Sequence, residues 1–69
     1  MDKKYNVKEI LTDVFILDSA LADLLIEKLE TVKTDLGLKL IYNAIENEIQ
    51  ENARSYIFNF LKIAYKNLK

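Results

Sequence analysis

Gly37 is the only glycine among 69 residues, and proline is absent. Glycine and proline are the residues that most readily stop a helix or turn a chain. A chain with one such mark has few corners and folds into few, long elements. Gly37 falls between two blocks whose apolar residues recur every three or four positions. That is the spacing of one buried helical face. The pattern predicts two long helices joined near residues 33–37.

In the first block Val7, Ile10, Val14, Leu17, Leu21, Leu25, Leu29 and Val32 form the stripe. Leu11, Phe15, Ala22 and Ile26 widen it, while Ile16 projects from the opposite, polar face. Asn6 reads as the helix cap, with Glu9 reaching back as in a capping box and Tyr5 and Ile10 spaced as a hydrophobic staple. Asp18-Ser19 also suits a cap that would divide the block. The apolar phase runs through them unshifted, so one helix of about 26 residues, near 40 Å long, is expected.

Two readings of the link stand. Thr34 N-caps the second helix, with Asp35 complementing its positive end, or Gly37 closes the first helix as a left-handed residue. A single continuous helix would carry the glycine at a cost of about 1 kcal/mol, but the apolar spacing does not hold to heptads.

The second block runs from about 35 to 67. Leu38, Ile41, Ile45, Ile49, Ala53, Tyr56, Phe60 and Ala64 form its main stripe, thin between Glu46 and Asn52. Phe58, Leu61, Tyr65 and Leu68 add a second stripe at its end. That leaves more apolar circumference than one hairpin partner covers. The chain has no cysteine or histidine for disulfide or zinc staples, and a core this small is marginal alone. The expected fold is a single all-α domain over 1–69. It is an antiparallel helical hairpin (about 6–33 and 35–67) pairing into a homodimeric four-helix bundle. Phe15, Ile26, Phe58, Leu61, Tyr65 and Leu68 are the expected oligomer or partner interface.

No catalytic constellation emerges. Ser19 and Ser55 lack a histidine or cysteine to work with. Asp13, Asp18 and Asp23 recur every five residues, which on a helix turns each by about 140° and scatters them. Glu46, Glu48 and Glu51 share no face and read as a solvated flank. Asp35–Lys39 and Glu51–Arg54 are spaced as ordinary surface pairs along a helix. Neither enzyme activity nor a cofactor or metal is expected.

Charge is uneven although the net is −1. Lys3, Lys4 and Lys8 open the first helix, and Lys62, Lys66 and Lys69 end the second. A hairpin would bring these ends together, with Tyr5 and Tyr65 among the lysines, as an anion or nucleic-acid contact. A lone arginine, Arg54, and no recognisable helix-turn-helix count against base readout. Residues 55–69 have the composition of an interfacial membrane helix, but no apolar run nears the roughly 20 residues that cross a bilayer. The opening residues lack the apolar segment of a secretory signal, and a cytoplasmic location is expected. The leading expectation is a small non-enzymatic protein-interaction module (adaptor, inhibitor or regulator) acting as a homo-oligomer. A nucleic-acid regulator is second and a membrane-associated helix third.

Overall fold

Each of the two long blocks is cut once. The computed structural model describes residues 3–68, and side chains from residue 6 onward. Four α-helices run α1 (Lys3–Asp13), α2 (Ser19–Thr31), α3 (Asp35–Ile45) and α4 (Arg54–Asn67). Two 3₁₀ turns, Glu46–Glu48 and Glu51–Ala53, separate α3 from α4. The described residues contain no strand.

The first cut is at Ile16, whose φ is +58°. The Val14 and Phe15 N–H groups both donate to the Ile10 carbonyl, at 2.9 and 3.2 Å, and the Leu17 N–H reaches back to Leu11 O at 3.0 Å. A left-handed residue closing a helix in this way usually is glycine, and it returns the next apolar side chain to the helix it has just left. Leu17 is buried in the same cluster as Leu11. Asp18 is then extended, and its carboxylate accepts the Ala20 N–H at 3.2 Å to cap α2. The expected undivided helix is therefore replaced by two. Leu17 keeps the apolar phase because a turn, not a helix, brings it inward. The longest dimension of the chain is 28 Å, well short of the roughly 40 Å of the undivided helix. Asn6 is not a cap either. Nothing in Lys3-Lys4-Tyr5 opposes helix, and α1 already starts at Lys3.

At the link, the Thr34 reading holds. Thr34 is extended, with φ −132° and ψ 157°, and its Oγ1 accepts the Gly37 N–H at 3.0 Å. Asp35 lies in the first turn of α3. Gly37 is helical and serves close packing instead of left-handed geometry. A Cβ there would lie 2.7 Å from Val32 Cγ2 and 3.3 Å from Thr34 Oγ1.

The second cut spans residues 46–53. Ile49 and Gln50 are extended, with ψ 137° and 139°. Arg54 clasps the corner: its Nε donates to Glu46 O at 3.0 Å and to Ile49 O at 3.3 Å. The expected Glu51–Arg54 pair is therefore not what Arg54 serves. The extended step resets the helical phase. On α4 the inward residues are Ile57, Leu61, Ala64 and Tyr65, whereas Tyr56 is exposed. The stripe read as secondary is thus the buried one, and part of the stripe read as inward is the surface.

The core is one cluster. Leu11, Leu25, Leu29, Leu38, Ile57 and Leu61 are its largest fully buried side chains. α1 packs on α2, and α4 packs across both α2 and α3. The described residues bury no charged side chain.

Two glycine exchanges test the cuts by urea unfolding in dilute solution. Ile16 is 76% exposed, so Ile16→Gly loses little packing and removes a left-handed penalty of about 1–2 kcal/mol. Less the entropy glycine brings, a gain of about 1 kcal/mol is expected. Gly37→Ala should do the opposite. Its helix-propensity gain of about 1 kcal/mol is outweighed by overpacking of about 1–3 kcal/mol against the stiff, buried Val32. A stabilised Gly37→Ala or a destabilised Ile16→Gly would contradict these local conformations.

Candidate interaction surface

The six residues expected at an interface lie instead in the chain's own core or at its margin. Ile26, Leu61 and Tyr65 are buried; Phe15, Phe58 and Leu68 are half-buried against the same cluster. The reason is coverage. With the chain cut into four, both α2 and α3 pack on α4, so Ile57, Leu61 and Tyr65 are covered within one molecule. Phe58 meets Tyr42 of α3 at a tilt, with ring centroids 5.0 Å apart, and Phe15 meets Phe60 at 5.8 Å.

Tyr65 also has a polar tie. Its hydroxyl donates to Asp35 Oδ1 at 2.5 Å, fastening the last turns of α4 to the first turn of α3. Asp35, expected to pair along its helix with Lys39, receives this hydroxyl instead. The hydrogen bond to Asp35, followed by desolvation and the repulsion of its negative charge, raises the Tyr65 pKa above the usual 10.0.

What the fold leaves uncovered is a different set of residues. Val14, Ile16, Tyr56 and Ile63 are among the exposed large hydrophobic side chains. Val14 and Ile63 line cavities along the seam between α1 and α4, and Ile16 lies at its end. A cavity of about 240 Å³ is lined by Asn6, Val7 and Ile10 from α1 and by Phe60, Ile63, Ala64 and Asn67 from α4. At the other end Val14, Phe15 and Ile16 meet Glu48, Gln50 and Ala53 of the corner before α4. The two helices therefore run antiparallel, with the start of α1 beside the end of α4. The seam is continuous, since Asn6, Ile10 and Val14 share one surface. Tyr56, Phe60 and Ile63 step by four and three along α4 and form one stripe.

A second apolar groove, of about 350 Å³, lies between α2 and α3, with Leu21, Leu25, Ile41 and Ala44 in its walls. Leu24 borders it, and Leu36 and Leu40 are exposed on α3. The α1–α4 seam is distinguished by Ile16. A β-branched residue in left-handed geometry is strained, and this one is also open to water. The turn itself is offset by the burial of Leu17, but the exposed isoleucine side chain is not.

The lysine-rich ends are neighbours, but they are partly engaged. Lys8 faces α2, where its Nζ lies 3.0 Å from Asp23 Oδ1. Lys62 Nζ sits 5.0 Å above the Phe58 ring, and Lys66 Nζ 5.9 Å above the Tyr65 ring. The side chains of Lys3, Lys4 and Tyr5, and the whole of Lys69, lie outside the described residues. The aspartates have separate local roles: Asp18 caps α2 and Asp23 pairs with Lys8. Among the described residues no three acidic groups converge as a metal would require, and no helix is long and apolar enough to cross a membrane.

Tyr56 and Ile63 are exposed and Phe60 is half-buried; one helical phase run through residues 46–53 does not show this. Ile16 was legible, an isoleucine alone on a polar face. Compared with known proteins, the chain matches no family model, and no curated protein or solved structure matches it.

Alkaline titration tests the Tyr65 tie. A phenol whose pKa is higher folded than unfolded contributes stability that is fully present below the unfolded value near 10 and lost as pH rises through the folded value. The unfolding free energy should therefore fall with rising pH above that point, and Tyr65→Phe should lessen the slope. An identical slope in the variant would show that Tyr65 is not tied to Asp35.

Proposed function

We infer that the chain is a small non-enzymatic module that works by binding protein through the α1–α4 seam. The carrying observation is Ile16, held left-handed with φ +58° and 76% exposed. Isoleucine is a poor choice at such a position for stability alone: glycine or asparagine would fit the turn, and a polar side chain would suit the water. An outlier of this kind is a pointer to function. Val14 lines the same cavity as Ile16, and the exposed Tyr56 and Ile63 carry the apolar surface along α4, making the mixed aliphatic and aromatic patch that helix-packing partners use.

The second reading, a nucleic-acid regulator, has weaker support. Lys8 is held by Asp23, and the sole arginine uses its Nε on main-chain carbonyls at the corner before α4.

Photo-crosslinking in the native cell separates the readings. A photo-reactive residue placed at position 16 or 63 should yield protein adducts well above those from the exposed, polar position 27. Adducts chiefly to nucleic acid or lipid, or no excess over position 27, would contradict the reading.

A further inference from the structure

We propose that the partner on the seam is a second copy of this chain, docked about a two-fold axis parallel to α1 and α4, so that α1 of one protomer lies against α4 of the other. This deepens the interaction reading and rests on it.

The two flanks of the seam carry opposite charge. On α1, Glu9 and Asp13 border the apolar surface formed by Ile10 and Val14. On α4, Lys66 follows Ile63 by three residues, which puts it one turn along on the neighbouring face, with Lys62 beyond it. All four charged residues are exposed. Within one molecule the acidic and basic flanks stand on opposite sides of the apolar seam. Lys8 pairs with Asp23 on the side of α1 that faces α2, away from the seam.

A two-fold axis must lie in the plane of the interface, and the direction of that axis decides which helices meet. An axis across the helices sets α1 on α1 and α4 on α4, so acid faces acid and lysine faces lysine. An axis along the helices sets each acidic flank against the other copy's lysines, at both edges of the interface. Ile10 shares its cavity with Phe60 and Ile63, so Glu9 stands about level with the turn that carries Lys62 and Lys66. Antiparallel α1 and α4 keep that level match on both sides of the axis. Charge complementarity then selects one register and rejects the other. The middle of the contact is apolar, and each copy supplies Val14, Ile16, Tyr56 and Ile63 to it.

Two charge-reversed chains test this by sedimentation at micromolar concentration, with circular dichroism to confirm that each is folded. The first carries Glu9→Lys and Asp13→Lys; the second carries Lys62→Glu and Lys66→Glu. The unaltered chain should sediment as a dimer that weakens with salt. Each altered chain alone should lose about tenfold or more in self-affinity. Mixed, they should form a heterodimer, and a chain carrying all four changes should dimerise again. Altered chains that self-associate as well as the original would overturn the arrangement. An unaltered chain that stays monomeric, while position 63 still crosslinks to a different protein, would overturn self-pairing and spare the interaction reading. Loss of both would overturn both.

Discussion

The left-handed turn at Ile16 is the constraint on which the rest of the structure depends. Without it, α1 and α2 would be one rod too long for the 28 Å that the chain spans. With it, α1 folds back along α2, and the core gains Val7, Leu11 and Leu17. The extended step at Ile49 and Gln50 does the same for the other half, letting α4 return between α2 and α3. Each corner is held by few groups. Asp18 caps one side of the first, and Arg54 binds the carbonyls of the second. Tyr65 and Asp35 then tie the end of α4 to the start of α3. Small domains have little surplus stability, so polar ties at corners weigh heavily beside the apolar core.

The all-helical character was legible because apolar periodicity reports the helix wherever a helix exists. The Thr34 cap was legible for the same reason that caps usually are: a side-chain oxygen just before an apolar run meets an N–H that the helix leaves free. The cuts were not. Leu17 stays in phase across a non-helical turn, so periodicity could not see the turn, and neither glycine nor proline marks it. Residues 46–53 carry a polar run that suits a solvated helix face as well as a corner. A helical wheel drawn through that corner rotates everything after it, which puts the exposed Tyr56 inward and makes the buried Leu61 and Tyr65 look surplus. The Asp18-Ser19 pair did carry the right signal, a cap that divides the block, and apolar phase outweighed it.

The same rotation changes where the functional surface lies. Aromatic and aliphatic side chains in α4 are plentiful because the helix is covered on two sides, so their abundance marks a core. The informative residues are those the four-helix packing leaves wet. Among these Ile16 stands apart, since a strained backbone and an exposed apolar side chain coincide there. A selection for stability alone would remove either feature with a single substitution. The seam beside it also has a polarity, with Glu9 and Asp13 on its α1 flank and Lys62 and Lys66 on its α4 flank, which an apolar patch by itself would lack. Apolar area then supplies the attraction, and the charged flanks supply the orientation.

Backbone NMR across residues 13–19 is the most direct check on the account. It predicts that helical Cα shifts stop at Asp13, that the amide–Hα coupling at Ile16 reports a positive φ, and that helical shifts resume at Ser19. Uninterrupted helical shifts from residue 6 to residue 33 would restore the long hairpin and remove the seam with it.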